Sequence, residues 1–321
     1  MQVILSQNSI QTDITGFVTS LTFSGDYKSC CRECIFGVIQ NQSVKELPVL
    51  NIKLGDLITV MHNNLTLFSG FVWNKTKDAQ GSVIDFLAKD RGIYLNKNQA
   101  YYNFKNILPQ DITKKICADY GITVGSVAQV DTPISRIFMG DTLYKIIISS
   151  YNLAKTDKKY MVIFTGHKLN VIEKGTVRAL DLQTGANLIN ANVSQSIDNM
   201  VNTIKVYNGE NSLINTYKND EDIKNFGSLG SIIKASSKDT DYEKLAKDTL
   251  KSVDQRIRVQ NFGDVGLTTG KYVVVSEPVT GLKGKFYIES DKHNFNNGIY
   301  TNELVLNFEN LSDESEGGSD G

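Results

Sequence analysis

The side chains best suited to chemistry are few and unevenly placed. Cys30, Cys31 and Cys34 form one run, Cys117 stands alone, and His62, His167 and His293 are the only histidines. Cys31-x-x-Cys34 has the spacing with which two thiolates grip a zinc ion. A closed tetrahedral site needs four ligands, however, and no histidine pair at metal-binding spacing completes this one. Cys34, Phe36 and Val38 also alternate as the residues on one face of a strand do, which makes Cys34 a small buried hydrophobe. A disulfide is disfavoured in a reducing cytosol. His167 follows Gly166 in a turn sequence and has no nucleophile or carboxylate paired with it, so it reads as a solvated turn residue.

The carboxylates Asp85, Asp90, Asp239 and Asp241 are the candidates for a glycosidase acid/base pair. The chain has 35 acidic residues, so some such pair is always available, and helix caps and solvated faces are the better reading of these four. Trp73, Tyr101, Tyr102 and Phe104 could stack on sugars or bases, although Trp73 falls on an apolar strand face, where core packing is the simpler expectation. There is no Walker A sequence, no dinucleotide-binding glycine loop, no His-Glu-x-x-His and no nucleophile elbow. Gly227-Ser228-Leu229-Gly230 lacks both the length and the lysine of a phosphate loop. No catalytic residue, cofactor or metal ligand is therefore expected, and the chain reads as a protein that is not an enzyme.

The elements that must position these residues follow from pattern. At 321 residues, with 40% hydrophobic and 21% charged residues, the chain is long enough for two or three domains with substantial cores. The formal net charge of -1 gives no field for holding nucleic acid or an anionic membrane. No stretch has the length of a membrane span, and Met1 to Ile10 lacks a signal-peptide pattern, so synthesis in a bacterial cytoplasm is expected. Period-two runs predict strands over 14–23, 32–40, 51–61, 66–74 and 82–89, with Asn63-Asn64 as a hairpin turn and Gly81 as the next reversal. A helix is predicted from Pro109, carrying Ile112 and Ile116 and ending at Gly121. Another follows Asp141, with Leu143, Ile146 and Ile147 on its apolar face and Ser149 and Asn152 off it. A hairpin of 160–164 and 168–172 turns at Gly166-His167. Strands return over 200–207, 271–276, 286–291 and 299–308, interrupted by a helix that Thr240-x-x-Glu243 caps and that carries Tyr242, Leu245, Ala246, Thr249, Leu250 and Val253. The predicted fold is α+β and mainly β, with a domain at 1–95, a small α/β domain at 96–190, and a second β domain at 191–311 containing a helical insertion at about 220–258. The segment 312–321, with Asp313, Glu314, Glu316 and Asp320 among Gly and Ser, is predicted to be a solvated, flexible tail.

Several segments, in order, resemble the XkdQ/YqbQ-like tail hub proteins of Gram-positive phages and phage-tail bacteriocins, which are related to the late control D group. They are Leu54-Gly55-Asp56 leading to Leu67-Phe68-Ser69-Gly70; Ala88-Lys89-Asp90-Arg91 with Tyr94-Leu95-Asn96-Lys97-Asn98; Ser196 to Ile204; Gly227 to Gly230; and Gly281 to Ile288 with Asp291-Lys292-His293. The resemblance implies two small antiparallel β-barrel tube domains separated by smaller α/β elements. It also implies a homotrimer in the baseplate of a contractile tail or tail particle, joining a hexameric tail tube to a trimeric central spike among other baseplate proteins. DNA would cross its lumen without specific binding. His293 is expected to be structural, and the cysteine run is not a feature of the family. A tail-associated cell-wall hydrolase and a carbohydrate-binding tail adhesin are the competing expectations.

Overall fold

The computed structural model describes residues 1–39, 50–79, 81–154, 156–235, 241–296, 298–315 and 317–319. Seven strands come first: β1 (Gln2–Gln7), β2 (Ile10–Asp13), β3 (Val18–Asp26), β4 (Glu33–Ile39), β5 (Leu57–His62), β6 (Leu65–Lys77) and β7 (Val83–Lys89). Their inward residues alternate, as Cys34, Phe36 and Val38 do on β4, and join Phe23, Ile58, Val60, Phe68 and Phe86 in one core. The β5–β6 hairpin turns on Asn63 and Asn64, whose φ values of 49° and 65° are the left-handed pair that a two-residue turn requires.

An α/β segment follows: α1 (Gly92–Lys97), β8 (Gln99–Ile107), α2 (Pro109–Asp119), β9 (Thr123–Val127), β10 (Ile134–Thr142), α3 (Leu143–Leu153), β11 (Tyr160–Thr165) and β12 (Lys168–Glu173). Pro109 opens α2, and Gly121, at φ 63°, follows its last turn, as the sequence predicts. Ile112, Ile116, Leu143, Ile146, Ile147 and Tyr151 form a second core with Phe104, Phe138 and Leu169.

The chain then runs through β13 (Arg178–Gln183), β14 (Leu188–Ser196), β15 (Thr203–Tyr207), β16 (Leu213–Lys218), α4 (Asp220–Phe226), β17 (Gly230–Lys234), α5 (Tyr242–Thr249), β18 (Asp254–Phe262), β19 (Tyr272–Glu277), β20 (Leu282–Asn296) and β21 (Ile299–Asn307). Two compact units result: Met1–Ala191 with Arg258–Gly321, and Asn192–Ile257. In the smaller unit β16, β15 and β17 form a three-stranded sheet against α5, with Ile204, Val206 and Ala246 buried. The cap of α5 is Asp241, whose side chain accepts from the Lys244 amide; Thr240, the predicted cap, lies outside the described residues.

The fold is mostly β with antiparallel pairing, but the strands do not divide into two closed barrels. In the larger unit β3 and β20 pair from Ser20↔Asn296 to Asp26↔Ser290, joining the N-terminal and C-terminal strands into one 13-stranded sheet that no pairing among the described residues closes. The cause is the length of β20. Its 15 residues span about 50 Å at strand rise, so its first half pairs with β19 and its second half with β3, while β21 follows the other edge.

The acidic C-terminal segment also departs from its expected solvation. Ser312 and Asp313 are buried. Asp313 accepts from the Tyr144 hydroxyl at 2.6 Å, the Ser149 hydroxyl donates to the Ser315 carbonyl at 3.0 Å and accepts from the Gly317 amide at 2.9 Å, and Ser319 pairs with Ile137 of β10. The segment has no apolar residues to bury, so hydrogen bonds hold it, and Ser149 is fully buried beneath it.

Candidate functional site

The densest set of polar groups buried away from water lies where β3 meets β20. Arg32, just before β4, reaches Asp291 on β20 with both terminal nitrogens, at 3.0 Å from Nη1 to Oδ1 and with a second, shorter bond from Nη2 to Oδ2. Oδ1 of Asp291 also accepts from the Thr269 amide (2.7 Å) and hydroxyl (2.6 Å), and Nε2 of His293 lies 3.2 Å from Oδ2. On the other side of the ring, His293 Nδ1 lies 2.7 Å from the Tyr300 hydroxyl and 2.9 Å from Nδ2 of Asn302. Oδ1 of Asn302 accepts from Asn261 and the Asp264 amide, so its Nδ2 is the donor to Nδ1, while Nε2 stands 3.2 Å from the carboxylate without a well-aligned hydrogen bond. The His293 ring stacks on Phe23 of β3 at 4.4 Å. Burial works to raise the Asp291 pKa, but the Arg32 charge and the hydrogen bonds outweigh it and hold the carboxyl below the usual carboxylate range.

An Asp–His pair invites a catalytic reading, and the geometry answers it. Both side chains are fully buried, both ring nitrogens face protein groups, and among the described residues no Ser, Thr or Cys stands at hydrogen-bond distance from the imidazole as a nucleophile. What the arrangement does is lock three strands and the 264–269 loop together, with a charge pair whose members lie 259 residues apart in sequence.

The other sequence candidates fall in separate places. All four cysteines are free and buried. Cys34 sits in the β core, Cys30 contacts the Gly92 carbonyl and Asn96 Oδ1, and Cys31 contacts the carbonyls of Arg32 and Asp90; burial pushes all three thiols up. Among the described residues no group of three or more His, Cys, Asp or Glu side chains is placed to hold a metal ion.

Asp85 lies near the start of β7 and Asp90 just past its end, about 16 Å apart along the strand, where paired glycosidase carboxylates need roughly 5–9.5 Å. Asp241 caps α5 in the smaller unit, and Asp239 lies outside the described residues. Asp90 is 4% exposed, accepts from the Gly92 amide at the start of α1 at 2.8 Å, and is pushed up to about 6 by burial. Trp73 does not pack in the core. Phe68, Gly70 and Val72 point inward on β6, and the odd positions, Trp73 among them at 38% exposure, point out. Phe104 is buried against Tyr102, and Tyr101 is exposed.

The segments picked out by resemblance prove to be fastenings. Asn202 donates to the Gly227 carbonyl (2.7 Å) and accepts from the Leu229 amide (2.8 Å), bringing two of them together. Asp56 accepts from the Lys53 amide (2.6 Å) after Gly55 at φ 87°, and a side chain at Gly70 would collide with the Lys89 backbone. Sequence reasoning missed Arg32, Thr269 and Asn302, because nothing in their spacing shows that the chain brings them to Asp291 and His293. Among the described residues no helix is long and apolar enough to cross a membrane.

Comparison with known proteins agrees with this reading of the fold. The uncharacterized protein YqbQ of Bacillus subtilis (strain 168) is 25% identical over 264 residues, covering 78% of this chain and 80% of its own. The phage-like element PBSX protein XkdQ of the same organism is 25% identical over 268 residues, covering 78% and 81%. The 43 kDa tail protein of prophage MuSo2 from Shewanella oneidensis superposes with a TM-score of 0.72 at 15% identity, over 95% of this chain and 97% of that one. With the YQBQ-like family pattern matching residues 21–307, nearly the whole body of the sheet, this chain belongs to the YQBQ-like family.

Proposed function

We propose that this chain is the structural hub of a contractile phage-type tail baseplate, a homotrimer that joins the hexameric tail tube to the trimeric central spike and has no enzymatic part. The observation that carries the reading is the β3–β20 seam, which fastens an N-terminal and a C-terminal set of strands into one sheet. One chain thus carries an N-terminal and a C-terminal set of strands within one sheet, in the place of the two tube barrels of the sequence expectation. On this reading three chains present six such sets of strands, so a threefold assembly can offer a pseudo-sixfold face to a tube and keep a threefold face for a spike. The partners are accordingly two further copies of this chain, the tube protein, the spike and neighbouring baseplate proteins, and its place is the virion or tail particle.

Passage of DNA would be eased where lysines of the joined sheet already have carboxylate partners. Lys89 of β7 pairs with Glu33 of β4 at 2.5 Å, and Lys292 of β20 lies 3.9 Å from Glu303 of β21. Cations neutralised in this way release few counterions from a passing phosphate backbone, so a strand can pass without being held. The test is electron microscopy of particles produced without this chain: tubes lacking an assembled baseplate are expected, and normal complete tails would contradict the proposal.

A further inference from the structure

The fold contains a groove that neither the hub reading nor the β3–β20 junction uses. It has a volume of about 460 Å³ and lies between α1, the end of α2, the start of α3 and the β11–β12 turn. Leu143, Ile122 and Phe164 supply its apolar floor, and Tyr94 and Tyr120 stand on its rim at 39% exposure each. Its volume falls within the range of small-ligand sites, as does the pattern of an apolar base with a few convergent polar groups.

The electrostatics of the lining are one-sided. Arg91 and His167 both line the groove, and among the described residues no Asp or Glu does. Arg91 is held over the Phe71 ring, 5.1 Å from its centroid, and Phe71 meets Tyr94 edge-on, so the cation is positioned by packing rather than by a carboxylate. Leu143 is the first residue of α3, whose N-terminal end adds positive potential. The polar groups divide into two sets. Asn98 and Tyr120 spend their side-chain donors on the carbonyls of Tyr94 and Gln99. Among the described residues, the Arg91 guanidinium, the Tyr94 hydroxyl and the His167 ring have no hydrogen-bond or ion-pair partner, and all three residues belong to the lining of the same groove.

A fixed cation and an imidazole call for an anion, and flanking aromatic rings call for a ring-shaped body beside it. From this geometry we propose that the groove is a binding site for an anionic saccharide, a sugar ring bearing a carboxylate or a phosphate. Arg91 and His167 hold the charge, Tyr94 and Tyr120 cover the ring, and the Tyr94 hydroxyl is hydrogen-bonded to it. The sequence-level expectation of a carbohydrate-binding adhesin thereby acquires a location, and the site does not depend on the hub reading.

The test is isothermal titration of the full chain with glucuronate and glucose 6-phosphate, with glucose and AMP as comparison ligands. At least one acidic sugar should bind with a Kd tighter than about 1 mM, and glucose at least tenfold more weakly, on the order of one lost charge-assisted contact. Arg91→Gln should weaken that binding by about tenfold or more. His167→Asn, at an exposed turn where folding is not at stake, should weaken it several-fold. Glucuronate and glucose 6-phosphate together distinguish a carboxylate from a phosphate as the recognised group. Absence of binding by both, equal binding of glucose, tighter binding of AMP, or affinity unchanged in both variants would overturn the assignment. The oligomeric mass is the same in every one of these outcomes, so this result and the hub test stand apart.

Discussion

Replacing Arg32 with methionine removes the guanidinium paired with Asp291 and leaves much of the packing volume in place. Asp291 is 1% exposed and its side chain is sealed from water, so without Arg32 its negative charge retains only the two Thr269 donors and the His293 ring. Breaking a buried pair from one side costs about 3–5 kcal/mol, a large part of the stability of an ordinary domain. The pH dependence is specific. In the native protein the folded pKa of Asp291 lies below its unfolded value, so its stabilisation is present above the unfolded value and is lost as pH falls through the folded one. In Arg32→Met burial is left to dominate and the folded pKa rises, so the carboxyl can be protonated on folding at low pH. The difference between variant and native protein should therefore be full at pH 7 and should shrink towards pH 4. Trp73 is the only tryptophan and sits on β6 of the larger unit, so its fluorescence during urea unfolding follows the relevant part of the chain. Adding Asp291→Asn, which removes the stranded charge and keeps an acceptor for Thr269, should recover most of the loss. A cost under about 1 kcal/mol at pH 7, or one independent of pH, would refute the reasoning.

Asp90→Asn should act in the opposite direction. The folded pKa of Asp90, about 6, lies above the ordinary aspartate value, so its contribution favours folding below the unfolded value and is lost as pH rises through 6. The asparagine variant should be more stable than the native chain at pH 7, by about 2–3 kcal/mol at most, with little difference near pH 4, as urea unfolding at the two pH values would read. Removing residues 312–321 takes the Ser319 carbonyl from the Ile137 amide; hydrogen exchange should accelerate there and stay unchanged along the β3–β20 seam. Asn64→Val places a β-branched residue at φ 65° and should destabilise by about 1–3 kcal/mol in the same unfolding assay.

Local structure was legible wherever a residue type answers a local demand. Asn63-Asn64, Pro109, Gly121 and Gly166-His167 mark turns and helix ends because their backbone requirements are set within a few residues. The period of Cys34, Phe36 and Val38 gave the buried face of β4, and with it the role of Cys34. Pairing between distant strands was not legible, because alternation shows that a segment is a strand without showing its neighbour. One sheet in the place of two barrels is the consequence. Trp73 was misplaced by hydrophobicity when its phase relative to Phe68 and Val72 decides the matter. The docking of Asp313 and Ser315 was hidden for a related reason: composition measures what a segment could bury, and this one is held by the Tyr144 hydroxyl and by Ser149, which the helical pattern places off the apolar face of α3.

The hub reading depends on three copies of the chain assembling, so the most direct measurement is the mass of the intact purified protein by native mass spectrometry across a concentration series. The account predicts a species of three times the 35.6 kDa chain mass, populated increasingly with concentration. A monomer at every concentration, or an even-numbered assembly, would contradict it.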